Sequence, residues 1–274
     1  MHSIKMSFCA LLVTCLPCAG FAQGQMNALF EALKIGPLIE VMRDEGLGYG
    51  DDLAADLFPG RGLDGWRKSV SAIYDLDRMD QIVTSTMSEV LADTDLDPLL
   101  TFFNSDLGQE IVLLELNARI AFLDNAVEEA AKAQMQSMAE AEDPRFDLIE
   151  TFTLENDLIE TNVVGAMNAN YAFYLGLASD PAAGFDLSEE DMLTDVWSQE
   201  PDIRQSTIEW VYSYLTMAYQ PLSDAELTQY LDLTLTEEGR DLTRALFEGF
   251  DDMFVGISQA LGVAASQFMA GQDL

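Results

Sequence analysis

LADTDLDPLLTFFNSDLGQE, residues 91–110, and LSDAELTQYLDLTLTEEGRD, residues 222–241, decide the fold. A shift of 131 residues lays Leu91, Asp93, Leu96, Leu100 and Gly108 on Leu222, Asp224, Leu227, Leu231 and Gly239 without a gap. The same shift carries Trp66 onto Trp197, Asp95 onto Glu226, Ser105 onto Thr236 and Glu110 onto Asp241. A constant offset over so many positions points to duplication of one unit.

Each copy reads as a helix, a tight break and a longer helix. Ser223 and Glu226 are spaced as a capping box, in which hydroxyl and carboxylate satisfy backbone amides left unpaired at a helix start. Leu227, Tyr230 and Leu231 follow at helical spacing. In the first copy Asp93 takes the capping role, with Leu96, Leu99, Leu100 and Phe103 as the apolar face. Ser105 and Thr236 cap the following helices, and Gly108 and Gly239 fall in their first turns. Glycine there costs about 1 kcal/mol relative to alanine, so close backbone contact with the preceding helix is expected.

The segment 91–131 continues as LELNARIAFLDNAVEEAA, and with Phe102, Phe103, Ser105 and Gly108 it resembles the exported bacterial family known as domain of unknown function 2059. A fainter echo covers 222–258, where Leu233 and Thr234 stand in place of the paired aromatics. The resemblance implies a helical exported domain and brings no catalytic residues.

The second helix of copy one carries two apolar stripes. Leu113, Leu116, Ile120, Leu123 and Val127 form one; Ile111, Leu114, Ala118 and Phe122 form the other. Two stripes predict a helix covered on more than one side. In copy two Phe247, Phe250 and Phe254 precede Gly256, Ala260 and Ala264, small residues spaced to admit a neighbouring helix. The uncharged stretches 161–179 and 254–272 are broken by Asn162, Asn168 and Asn170 and by Ser258, Gln259, Ser266 and Gln267. They read as helices buried in a bundle rather than membrane spans. Upstream, 27–35 and 38–43 read as short helices broken at Gly36 and Pro37, and 58–65 as a glycine-rich turn. Sustained alternation is absent, so the fold class is all-α, a helical bundle of two related halves. The boundary falls near 139–143, ahead of Pro144, giving repeats at 23–140 and 141–274. A second flexible site covers 179–185.

Residues 1–22 read as a signal peptide. Lys5 precedes an apolar run, and Gly20 and Ala22 place small residues three before and one before a cut ahead of Gln23. A lipoprotein acylated at Cys15 is the alternative. The cut would remove Cys9, Cys15, Cys18 and His2, the whole complement of cysteine and histidine. Thiol nucleophiles, disulfides, histidine-ligated zinc and serine-histidine triads leave with them. The formal net charge is −35, and −36 without Lys5. A field of that sign repels nucleic-acid phosphates.

No catalytic, cofactor-binding or metal-binding residues are assigned. Asp93, Asp95 and Asp97 copy the opening of a calcium loop, but Pro98 replaces its glycine and Asn104 its closing glutamate. Glu115 and Arg119, four apart on a helix, are an ion pair that is either structural or functional. Met135 and Met138 could be soft copper ligands but read as gap-filling core or exposed filler, and Trp66 and Trp197 as matched core anchors. The function expected is a noncatalytic periplasmic module that binds a protein or cell-envelope component. The alternative is a carboxylate-dependent hydrolase acting on envelope polymer, and homo-oligomerisation stays open. Intact-mass analysis of periplasmic material should give a chain starting at Gln23; a lipid-bearing chain starting at Cys15 would establish the lipoprotein instead.

Overall fold

The computed structural model describes residues 18–59, 63–179 and 188–271, with side chains from 23 onward. Most of the expected signal peptide, the middle of the glycine-rich turn and most of the 179–185 segment lie outside the described residues. The described chain is helical and contains no strand: α1 (Cys18–Ala32), α2 (Ile35–Leu57), α3 (Asp64–Ile73), α4 (Leu76–Val90), α5 (Asp97–Phe103), α6 (Asp106–Ala121), α7 (Asn125–Glu140), α8 (Pro144–Glu155), α9 (Leu158–Leu177), α10 (Glu189–Ala218), α11 (Asp224–Thr234) and α12 (Glu237–Met269). The expected cleavage point ahead of Gln23 falls inside α1.

Local chemistry sets many of the starts. The Ser105 hydroxyl accepts from Gly108 N at 3.1 Å, and the Thr236 hydroxyl from Gly239 N at 3.0 Å. Ser223 and Glu226 form the expected capping box. Asp75, Asp124 and Asp143 cap α4, α7 and α8 with their carboxylates. Asp93 does not cap α5; the Asp95 carboxylate takes Asp97 N at 3.1 Å, closer to the helix that Pro98 starts.

Several breaks differ from the sequence reading. Lys34, at φ 57°, separates α1 from α2. Gly36 and Pro37 open α2, where a proline's missing N–H is tolerated. That helix then passes Arg43 and runs on to Leu57, with two of its glycines set against α3 and the residue that ends it. A Cβ on Gly46 would lie 2.0 Å from the Tyr74 ring, and one on Gly50 2.6 Å from Val70. The helix expected to carry both stripes of copy one ends at Ala121, since the Asp124 cap starts a new one.

Two cores fill the bundle. The first gathers Leu29, Ile39, Trp66, Val83 and Leu99 with Leu242, Met253 and Leu261 of α12. The second gathers Ile111 and Ala118 of α6 with Ile149, Phe152, Leu215, Tyr219, Leu227 and Leu231. Each therefore mixes residues from 23–140 with residues from 141–274. Ile111 of the first copy shares a core with Leu227 and Leu231, while Leu242, 131 positions later, shares one with Leu96 and Leu99.

The uncharged stretches form the crossing of α9 and α12, and no helix among the described residues is long and apolar enough to cross a membrane. A Cβ on Gly176 would lie 2.2 Å from Gln259 O, and one on Gly262 2.1 Å from Phe173 O, so the two backbones touch. The close approach is made there and not at Gly256, which has nothing within 4 Å of its Cβ position. Trp66 is fully buried and donates to Gly50 O at 2.7 Å. Trp197 is 64% exposed, so the two tryptophans are not matched core anchors.

Cβ positions on Gly108 and Gly239 would lie 2.1 Å from Phe102 O and 2.0 Å from Leu233 O, positions again 131 apart. Alanine at Gly108, Gly239 or Gly262 should therefore destabilise by about 1–3 kcal/mol, as overpacking does. Alanine at Gly256, in open space within α12, should stabilise by up to about 1 kcal/mol. Denaturant midpoints of the four variants check the ordering.

Candidate functional site

Where the two cores meet, one ionisable side chain has been drawn inward. Glu115 sits on α6 between Val112 and Ala118, on the side that packs toward α10 and α11. Tyr219 donates to its Oε1 at 2.6 Å, and Tyr214 donates to its backbone carbonyl at 2.8 Å. Tyr230 also bonds the carboxyl. Phe102 stacks on Tyr230 at 5.8 Å, and Phe152 packs against both Tyr219 and Tyr230 at 5.5 and 5.3 Å. Burial pushes the Glu115 carboxyl above the usual carboxylate range, against the pull of the phenol bonds from Tyr219 and Tyr230. Burial and then the facing Glu115 hold the Tyr219 and Tyr230 phenols well above theirs.

Glu115 and Tyr230 line a cavity of about 100 Å³. Phe103, Val112 and Glu115 enter it from α5 and α6; Thr234, Thr243 and Leu246 enter from α11 and α12. These are the same three positions under the 131-residue shift. Leu33, Ile35 and Leu38 close it from the turn between α1 and α2. Copy two offers Leu246 where copy one offers Glu115, so the carboxyl occurs on one side alone.

Glu115 and Arg119 do not pair. Arg119 instead makes a two-pronged bond to Glu45 of α2, at 2.8 and 2.7 Å, and lies over the Trp210 ring at 5.8 Å. Helical spacing placed the two on neighbouring turns, but each found a partner distant in sequence. The missed members Tyr214, Tyr219 and Trp210 belong to one α10 run, WVYSYLTMAY. Its dense polar aromatics were the available signal, because buried phenols seek hydrogen-bond partners.

Of Asp93, Asp95 and Asp97, Asp95 accepts from Asp97 N in the turn before α5. Among the described residues no group of three or more His, Cys, Asp or Glu is arranged to hold a metal. Met135 is buried core on α7.

The surface carries large apolar side chains. Leu113, Ile120 and Leu123 are 44%, 46% and 48% exposed while Leu116 and Val127 are half-buried, so the first of the two expected stripes is largely open to solvent and the second is the better covered. Under the 131-residue shift, Arg244 and Asp251 occupy the places of Leu113 and Ile120. Trp197 and Leu193 line a shallow open groove near the start of α10, beside Glu189 and Glu190. Pro201, four residues after Trp197, has no N–H to offer its carbonyl.

No protein family, no curated protein and no solved structure matches the chain.

The raised Glu115 carboxyl has a defined sign for stability. The neutral acid is favoured by the folded state, so its contribution is full below the ordinary carboxylate range and is lost as pH rises through the folded value. Glu115→Gln keeps an acceptor for Tyr219 and has no proton to lose. Its melting temperature relative to the parent should climb as pH is raised from about 4 to about 8; a difference that stays flat would show that Glu115 does not titrate abnormally.

Proposed function

We propose that this protein is a noncatalytic, exported helical module that binds a protein or cell-envelope component through the solvent-facing stripe of α6. The observation that carries the proposal is the exposure of Leu113, Ile120 and Leu123 together. Single exposed leucines are common, but Leu113 and Ile120 on one face of α6, with Leu123 in the turn that follows the helix, make an apolar surface of the kind that marks an interaction site. Of the positions 131 further on, those matching Leu113 and Ile120 bear Arg244 and Asp251, whereas the one matching Leu123 bears Phe254, packed on the first core.

In this reading residues 1–22 direct export to the periplasm and are removed ahead of Gln23, with a lipid anchor at Cys15 as the alternative. The two halves, 23–140 and 141–274, descend from one unit, and 91–131 shares ancestry with the exported family it resembles. The shared cap and glycine collision of the two helix pairs support the duplication. So do the reciprocal core partners of Ile111 and Leu242, and the three matched positions that line the cavity. Trp66 against Trp197 and Glu115 against Leu246 are then places where the copies have diverged.

The hydrolase alternative draws on Glu115, a carboxyl with a raised pKa among aromatic rings. Glycoside hydrolysis uses two carboxyl groups about 5–9.5 Å apart around the scissile bond. Glu115 is the one acid among the described residues lining its cavity, and about 100 Å³ is small against the roughly 300–1,000 Å³ of ordinary ligand pockets. The binding reading is therefore preferred.

The test uses the mature protein and a variant carrying Leu113→Lys and Ile120→Lys, both checked for unchanged helicity, as crosslinked baits in periplasm from the source cell. A species captured by the parent and lost by the variant is expected. Equal capture by both, or by neither, would remove the α6 stripe as the binding face. Light scattering of the bait alone identifies the case in which the captured species is a second copy of this chain.

A further inference from the structure

We propose that the cavity between the two helix pairs is a binding site for a small uncharged molecule with an apolar body and one hydrogen-bonding oxygen. The proposal is independent of the α6 stripe and of export.

Geometry carries the argument. The walls contributed by Leu38, Phe103, Val112 and Leu246 are apolar, and two polar groups converge on the space between them, the Glu115 carboxyl and the Tyr230 phenol. A concave apolar space with a few converging polar groups is the general form of a ligand site. Thr234, whose hydroxyl donates to Leu231 O, and Thr243 add two more side-chain oxygens to the lining.

The carboxyl is the informative group. Burying one costs free energy unless it is offset, and the matched position in copy two shows that leucine fits the same scaffold. Retaining an acid at one of two equivalent places, with tyrosines fixing its orientation, is the arrangement expected of a polar handle. In its neutral form Glu115 has one O–H to donate, while the Tyr219 and Tyr230 phenols donate to it. A ligand oxygen accepting from that O–H completes the set. A charged ligand is disfavoured by the apolar walls.

Size narrows the class. A cavity of about 150 Å³ accepts benzene, so about 100 Å³ suits roughly five heavy atoms. Such a ligand binds at best in the micromolar range and more commonly in the millimolar range. 1-Butanol and 2-butanone have the required size and one oxygen. Pentane and butylammonium supply the matched apolar and cationic controls.

The experiment measures saturable binding of the four probes to the whole mature protein at neutral pH by ligand-detected NMR, with melting temperature as a second readout. Both oxygen-bearing probes should bind, more tightly than pentane and than butylammonium. Glu115→Leu should weaken 1-butanol by about tenfold, the loss of one hydrogen bond, while leaving pentane as it was or tighter. Leu246→Phe, which takes up cavity space from α12 and leaves residue 115 unchanged, should abolish binding of all the probes. Should either variant fail to keep the parent's helical signal, Val112→Met takes its place as a second filling variant. The proposal is overturned by the absence of saturable binding to the parent, by tighter binding of butylammonium, or by 1-butanol binding that survives the filled cavity.

Discussion

The contact of α9 with α12 at Gly176 and Gly262 is the constraint on which the architecture depends. With each Cβ position within about 2 Å of the other helix's backbone, neither site tolerates a side chain, and the axes are held at the distance that two bare backbones allow. Helix α12 is 33 residues long and packs on α3, α4, α5 and α11 besides α9. Fixing its crossing with α9 therefore fixes where its other faces lie. One such face is the approach to α4, where Gly249 lies against the Val83 backbone. Van der Waals contact of this density is what lets stretches without charges serve as the interior of a water-facing bundle.

The two cores that result are not assigned one to each half. Ile111 shares a core with the leucines of α11 and Leu242 with those of α5, so each core draws on both ends of the chain. An exchange of this kind leaves a seam where the pairs face each other, and the seam holds Glu115. Its carboxyl is desolvated by apolar neighbours from both sides, which a position inside one pair alone would not achieve. The cost is offset by phenol hydrogen bonds and by the freedom of the acid to stay protonated.

Local chemistry was legible and distant packing was not. Ser105, Thr236 and the Ser223 to Glu226 box cap the helices that the sequence assigned them, because a cap needs only the next three residues. The glycines at 108 and 239 were read correctly as close approaches for the same reason, the neighbour being the preceding helix. Gly46 and Gly50 were not, since the side chains that require them, Val70 in α3 and Tyr74 just after it, come only after an intervening turn. Helical spacing distinguishes faces but does not say which face meets another element, so the Leu113 stripe and Trp197 were both expected inside and are outside. Arg119 was matched to the carboxylate one turn away, whereas a planar guanidinium found better geometry with Glu45 of α2.

The charge balance gives the few cations a particular distribution. With 13 lysines and arginines against 48 acids, most carboxylates have no basic partner, and several of the pairs that do form lie at joints between helices. Arg67 joins α3 to α2, Arg119 joins α6 to α2, Arg204 joins α10 to α9, and Arg145 bonds Asp224 along with the Tyr219 and Leu222 carbonyls where α10 turns into α11. The exposed ones among them contribute about 0–1 kcal/mol each, too little to counter the mutual repulsion of the remaining acids. Cohesion must come from the two apolar cores, and the cations serve to set the angles at which the helices leave one another. A surface so uniformly acidic discourages contact with other acidic partners. Against that background the exposed apolar side chains, Leu113 and Ile120 on α6 among them, are uncharged breaks in the surface, where apolar burial has most to add.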